Sequence, residues 1–253
     1  ASPGGHKTRF AMTLCLVPRF LLLNRSKEHR VETISVTREN IKQHYKENRK
    51  EVENRLEEFI DLRGSSDKRK FRELVFVILT SQTEAQKAWE ACKKLIDQNI
   101  SEQKSSQIAD LLERCEVSYP ESKAEYIKEN KSMLSQPTLT NPKHVLKINS
   151  RIDEEDLEKT RRWFAENIKG ISWKGSSHFL RNIGYGNGFA IISSHISSQM
   201  YELGLTEDPK PPEEYREYVE QEQKLREFSK DMGIDIKALD LVLWSMRTGE
   251  IFK

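Results

Sequence analysis

Residues 167–195 read NIKGISWKGSSHFLRNIGYGNGFAIISSH, and this stretch decides the fold. The apolar spacing predicts one helix that ends at Ile168 and a second helix that begins at Lys174. Between them the sequence KGISW turns the chain, and Gly170 permits the backbone conformation of a tight turn. The pattern therefore predicts a helix-hairpin-helix.

The start of the second helix is a candidate phosphate-binding site. Its first backbone N–H groups have no partner within the helix and point outward, so they can receive an anion. Hairpins of this kind bind the DNA backbone without reading bases. The candidate DNA contacts in this hairpin are Lys169, Gly170 and Ser172.

The overall charge does not by itself favour DNA binding. The chain has 42 basic and 40 acidic residues, a net charge of +2, so any DNA affinity has to come from local patterning. Basic side chains without acidic neighbours around the hairpin indicate a phosphate-binding face, although an ordinary solvated surface is the alternative. They are Lys169, Lys174, His178, Arg181 and His195.

Lys174 is a candidate nucleophile. The positive end of the second helix should lower the pKa of its ammonium, which leaves more free amine than an exposed lysine offers. A lysine amine held against DNA suggests Schiff-base chemistry. The alternative is that Lys174 only contacts a phosphate.

The motifs GISWKGSSHFLRNIGYG and AIISSHI resemble the hairpin and following segment of archaeal-type 8-oxoguanine DNA glycosylases, in the helix-hairpin-helix glycosylase superfamily. The resemblance extends over FRELVFVILTSQT, YPESKAEYI and LDLVLWSMRTGEIFK, and it covers about Ile41 to the C-terminus. It implies removal of 8-oxoguanine from duplex DNA and AP lyase activity through a lysine Schiff base. We expect a monomer that binds oxidised duplex DNA.

The resemblance also implies site residues. Lys174 matches the catalytic lysine, and Gln82 matches the residue that fills the gap left by a flipped nucleotide, although it could be a plain polar helix end. Trp244 matches the tryptophan that stacks on the flipped purine, although a core position is the alternative. Lys253 matches the terminal lysine that helps to recognise the oxidised base.

One departure concerns the catalytic carboxylate of the family, because Ser193 occupies its position. No Asp or Glu occurs between Asn167 and Tyr201, so a shifted alignment finds no replacement. Three alternatives stay open: a working glycosylase and lyase, a weakened or inactive damage-binding relative, and a variant that traps a complex. A fourth, a hairpin scaffold unrelated to repair, predicts no purine pocket around Trp244 and Lys253.

The predicted fold is all-α, because helical periodicity continues from Ile41 and no convincing sheet follows Val36. We expect two helical lobes with a DNA-binding cleft between them. Lobe one covers about residues 65–150, and lobe two covers about 41–64 and 151–253. Residues 1–40 are an extension or leader, with a transit peptide, sequence added for expression, or two short strands as alternatives.

The cysteines indicate the compartment. Cys15, Cys92 and Cys115 have no metal-ligand spacing and are odd in number, as expected for a reducing intracellular protein. The endonuclease III branch of the superfamily commonly carries four closely spaced C-terminal cysteines, which this chain lacks. We therefore expect no metal cofactor. The apolar run Phe10–Leu23 is interrupted and too short for a membrane anchor.

Overall fold

The computed structural model of the protein describes residues 36–97, 103–138, 141–186 and 188–253. Within these ranges the chain is mainly helical, which confirms the all-α fold class. The helices are α1 (Arg38–Asp61), α2 (Asp67–Leu79), α3 (Ala85–Asp97), α4 (Ser105–Arg114), α5 (Pro120–Met133), α6 (Leu157–Asn167), α7 (Trp173–Asn182), α8 (Ser194–Glu202), α9 (Tyr215–Met232) and α10 (Ile236–Thr248). Most of the predicted extension, residues 1–35, lies outside the described residues.

Local sequence signals set several helix ends. The Thr37 side chain accepts a hydrogen bond from the Asn40 N–H at 3.2 Å and caps α1. Asp235 caps α10 in the same way, and Gly233 ends α9 in the left-handed conformation.

Helix α2 lies at the centre of the fold, as its nearly continuous apolar sequence predicts. Every residue from Glu73 to Leu79 is buried. This helix belongs to a first hydrophobic cluster, built by α2 to α7 with the connecting segments. A second hydrophobic cluster is built by α1, α8, α9 and α10. Helices α6 and α7 thus pack into the first cluster, and the predicted lobe boundaries stay predictions.

A small β-hairpin corrects the prediction that no sheet follows Val36. Strands β1 (Ser135–Thr138) and β2 (Asn141–Leu146) pair antiparallel, with Gln136 opposite Val145. By sequence alone, the prolines of this segment favour a break in the chain. A two-stranded sheet consists of edge strands alone, and edges tolerate prolines that lack a backbone donor.

Among the described residues, no helix has the length and apolar content that crossing a bilayer requires.

Candidate active site

Helix α5 holds the hairpin between α6 and α7 through hydrogen bonds to its backbone. The Asn130 side chain donates to the Lys169 carbonyl at 2.8 Å and accepts from the Lys169 N–H at 2.9 Å. Gly170 has a φ of +83°, and an added Cβ would lie 2.7 Å from Cδ2 of Tyr126. Gly170 is therefore required both for its conformation and for its space.

The start of α7 has the geometry of an anion site. Ser172 is exposed and precedes the helix, but its side chain makes no capping hydrogen bond. Among the described residues the first N–H groups of α7 therefore have no capping side chain, which leaves them able to receive a phosphate. Lys169 lies beside this turn, although its ammonium forms an ion pair with Glu129.

Lys174 is the second residue of α7, and its side chain is half-buried. Burial lowers the pKa of the Lys174 ammonium. The direction matches the sequence-based prediction, but the lowering comes from desolvation, whereas the helix terminus was the predicted cause. Within the described residues no carboxylate pairs with this ammonium, so nothing there offsets the desolvation.

Ser193 is the N-cap of α8, a helix that the sequence patterns did not predict. Its hydroxyl accepts a hydrogen bond from the Ile196 N–H at 3.3 Å. A serine followed by apolar residues at Ile196 and Met200 is a helix-start signal that could have identified α8. Aspartate is at least as good as serine at an N-cap, so this position accepts a carboxylate without loss of the cap.

Tyr218 on α9 connects the elements that carry Lys174 and Ser193. Its hydroxyl donates to the Ala190 carbonyl at 2.6 Å and accepts from the Ile192 N–H at 3.3 Å. The same oxygen lies 3.3 Å from Oγ of Ser177, one turn after Lys174. The segment before Ser193 is thereby tied to α7, and the family resemblance predicts that the Lys174 and Ser193 side chains lie together.

Trp244 lies on α10 and is half-buried. Its ring meets the exposed His195 ring edge to face, with centroids 5.3 Å apart. Since His195 belongs to the first turn of α8, Trp244 lies beside the helix that Ser193 caps.

Lys253 is anchored against α2 and α3. Its ammonium donates to both carboxylate oxygens of Glu73, at 2.8 and 2.9 Å, and lies 3.9 Å from the centroid of the Trp89 ring. Burial lowers the pKa of this ammonium, and Glu73 opposes the change. Trp244 and Lys253 therefore have different neighbours, and a shared purine pocket stays a prediction.

His178 was grouped with a phosphate-binding face from sequence, and the structure corrects this. The imidazole is buried in α7, one turn after Lys174, with its ring 5.8 Å from that of Phe76. Burial and then the nearby Arg181, Lys174 and Lys253 cations lower its pKa well below the usual value. Its Nε2 atom has no hydrogen-bond partner among the described residues. A neutral buried imidazole is not a phosphate contact.

The structure also corrects the assignment of Arg181 to the predicted phosphate-binding face. Its guanidinium is buried and donates to a carboxylate oxygen of Asp240 at 2.6 Å. Burial raises the pKa of Asp240 to about 6, and the Arg181 guanidinium opposes this rise. The pair joins α7 to α10 and thereby fixes the helix of Lys174 against the helix of Trp244.

Asp240→Ala is expected to lower the free energy of unfolding by about 3–5 kcal/mol, because it leaves the buried Arg181 charge without its carboxylate partner. Urea denaturation at pH 7 measures the change. Glu220→Ala is the matched control, since it removes the exposed partner of Arg216 and should leave stability nearly unchanged. An equally small loss from both variants would contradict this account of the pair.

Gln82 follows α2, in the turn before α3. It is exposed and has a φ of +53°, a left-handed conformation that is unusual for a residue other than glycine. Its carbonyl accepts a hydrogen bond from Oγ of Ser118 at 2.6 Å. Sequence patterns gave no sign of this conformation.

Comparison with known proteins identifies relatives of similar length. The family described as 8-oxoguanine DNA glycosylase matches residues 52–234. A protein named 8-oxoguanine DNA glycosylase/AP lyase from Korarchaeum cryptofilum is 35% identical over 205 residues, which cover 80% of this chain and 90% of the relative. One with the same name from Fusobacterium nucleatum is 31% identical over 211 residues, covering 83% and 94%.

Two solved structures of proteins named as 8-oxoguanine glycosylases have folds similar to that of this chain. The crystal structure of the 8-oxoguanine DNA glycosylase of Thermotoga maritima has a TM-score of 0.74 and 28% identity, covering 85% of this chain and 98% of that one. The glycosylase/lyase of Methanocaldococcus jannaschii, in complex with a 15mer DNA containing 8-oxoguanine, has a TM-score of 0.69 and 26% identity, covering 85% and 100%.

Proposed function

Because this chain belongs to the 8-oxoguanine DNA glycosylase family, we propose that it removes 8-oxoguanine from duplex DNA and cleaves the strand by β-elimination. The observation that carries the proposal is the Lys174 amine. It lies in the first turn after the hairpin, half-buried, with a lowered pKa and no paired carboxylate among the described residues. A lysine in that state offers more neutral amine for nucleophilic attack than an exposed lysine does.

Binding is proposed to begin at the DNA backbone. The N–H groups at the start of α7 hold a phosphate, with Lys169, Gly170 and Ser172 forming the turn that brings the backbone close. A damaged nucleotide must leave the stack before its sugar can be attacked, and Gln82 fills the space that it leaves. Trp244 stacks on the flipped base, and Lys253 helps to recognise it.

The proposed reaction starts when the neutral Lys174 amine attacks C1′ of the flipped nucleotide. The bond from C1′ to the base breaks, and the base leaves with the electron pair and takes up a proton. Loss of a proton from nitrogen and opening of the sugar ring give an imine. Removal of a C2′ proton then expels the 3′ phosphate, and water hydrolyses the imine to release the amine.

Ser193 affects the rate of this sequence. A carboxylate at its position would stabilise the cationic sugar and help to move protons, whereas a serine hydroxyl carries no full negative charge. The family reaction is therefore proposed to proceed here with slower chemistry and with damage recognition retained.

The rate of imine formation is expected to rise with pH and to level off below the usual lysine pKa of about 10.4. Only the neutral amine attacks, and burial lowers the pKa of Lys174, so the neutral fraction is complete at a lower pH. Single-turnover borohydride trapping across the pH range measures this. A rate that still climbs above pH about 10.4 would indicate an ordinary, solvated amine.

Trp244→Ala is expected to remove most of the preference for 8-oxoguanine duplex over undamaged duplex. Stacking of a base on an aromatic ring contributes about 1–3 kcal/mol, so the ratio of the two Kd values should fall by about 5-fold to 150-fold. Affinity for undamaged duplex should persist, because the hairpin supplies it through phosphates.

A fluorescence titration at fixed salt tests this assignment. Tyr201→Ala is the matched control, since Tyr201 is an exposed aromatic residue on α8. The control should discriminate like the wild type. Equal discrimination by Trp244→Ala and the wild type would reject the stacking role.

A further inference from the structure

Strained backbone is concentrated in two neighbouring loops. Among the described residues, positive φ at positions other than glycine occurs at Gln82 (53°), Glu116 (56°) and Tyr119 (56°). These belong to the Gln82 loop (residues 80–84), between α2 and α3, and the Tyr119 loop (residues 115–119), between α4 and α5. Such conformations persist only where the surroundings impose them, and they are often associated with function.

The Tyr119 loop holds the Gln82 loop through Ser118. Oγ of Ser118 donates to the Gln82 carbonyl at 2.6 Å, and the Ser118 N–H donates to Oγ1 of Thr83 at 3.0 Å. The peptide groups on the C-terminal side of Gln82 are thus fixed by a segment that is remote in sequence.

Lys123 on α5 fixes the other side of the same loop. Its ammonium donates to the Leu79 carbonyl at 3.0 Å, the Ser81 carbonyl at 2.6 Å and Oγ1 of Thr83 at 3.0 Å. All three ammonium donors are therefore used, and they bracket Gln82 in sequence. A cation is also favoured at this place, since the C-terminal carbonyl groups of α2 carry partial negative charge.

Burying the Lys123 ammonium has a free-energy cost that is high for a plain structural contact. The residue is 3% exposed, and among the described residues no carboxylate pairs with its ammonium. Burial lowers the pKa of Lys123 to about 8. Buried lysines without a carboxylate partner are rare in protein interiors, because desolvation penalises the charge.

We propose that Lys123, assisted by Ser118, is a positioning residue for Gln82. The two side chains hold the Gln82 loop in its left-handed conformation, so that the exposed Gln82 side chain is oriented before DNA arrives. This inference rests on the proposed function, in which Gln82 fills the space of the flipped nucleotide. Ordering the loop in advance removes an entropy cost from binding, which favours the flipped state.

The test measures base flipping separately from general binding. Duplexes carry 8-oxoguanine or guanine beside 2-aminopurine, whose fluorescence rises when stacking is lost. Lys123→Met should lower the fluorescence amplitude and raise the Kd for the 8-oxoguanine duplex on the order of tenfold, the effect of losing hydrogen bonds to a charged group. The Kd for undamaged duplex should stay the same.

Gln82→Ala should give the same pattern, and the double variant should lose no more than Gln82→Ala alone, because both changes act through one side chain. Lys128→Met is the matched control. Lys128 also lies on α5 and donates to a backbone carbonyl, that of Gln103 at 2.7 Å, but it does not contact the Gln82 loop. The control should behave like the wild type.

Three results would overturn the inference. The first is full fluorescence amplitude in Lys123→Met, and the second is losses that multiply in the double variant. The third is wild-type behaviour of Ser118→Ala, the variant that is used if Lys123→Met does not fold. Ser118→Ala is expected to show a smaller loss of the same signal. If the wild type itself gives no flipping signal, the proposed function fails and the inference with it; the other results refute the positioning role alone.

Discussion

Ser193→Asp is expected to raise the rate of single-turnover strand cleavage on 8-oxoguanine duplex by about two to four powers of ten. The reason is electrostatic, since a carboxylate stabilises the positive charge that develops on the sugar and a hydroxyl does so only weakly. The structure adds that the substitution should be tolerated. Ser193 caps α8, and aspartate caps helices at least as well.

The size of the gain depends on how the carboxylate is held. The segment before Ser193 is fixed by Tyr218 through the Ala190 carbonyl and the Ile192 N–H, which favours a defined orientation. A gain much smaller than a hundredfold would mean that this surrounding shell no longer aims the side chain at the sugar.

Ser193→Asn is the matched control for charge. Asparagine has nearly the shape of aspartate and caps helices as well, but it is neutral. It should therefore leave the cleavage rate close to that of the starting protein. If the starting protein already cleaves as fast as Ser193→Asp, the carboxylate is dispensable and the proposed role of this position is wrong.

Lys174→Gln in the Ser193→Asp background is expected to abolish borohydride trapping. An amide nitrogen cannot form an imine with the opened sugar, so no covalent complex can be reduced. Glutamine keeps much of the side-chain length, and the site is already half-buried, so damage recognition should survive. The measurement is the yield of the covalent protein–DNA complex, together with the Kd for 8-oxoguanine duplex.

Lys169→Gln provides the control for this variant. Lys169 lies in the same hairpin but pairs with Glu129, which makes it a poor nucleophile. Its replacement should leave trapping intact, with at most a weaker, salt-dependent affinity for DNA. Trapping that persists in Lys174→Gln would assign the nucleophile to another amine.

Local sequence determined several helix ends and turns of this protein. Helix caps, such as Thr37 and Asp235, and the turn at Gly170 act over a few residues, so their spacing along the chain is sufficient to predict them. The ordered blocks of family residues also located the hairpin and Lys174. The β1–β2 hairpin and α8 were missed because prolines and repeated serines obscured signals that are weak over so short a length.

Only the tertiary structure decided which positive charges are available to contact DNA. Lys169, Arg181 and Lys253 are all positively charged, yet each pairs with a carboxylate of a helix that is distant in sequence. These carboxylates belong to Glu129, Asp240 and Glu73. Burial and ion pairing depend on neighbours that are distant along the chain, and no periodic pattern encodes them.

The same reason applies to the residues that orient the site. Tyr218 joins α7 to the segment before Ser193, and Lys123 fixes the loop of Gln82, although each is far from its partners in sequence. The sequence by itself determined which residue types and which local turns exist in this protein. The packing of α5 and α9 against the site determined how those residues are held, because a side chain can position another only where the fold brings them into contact.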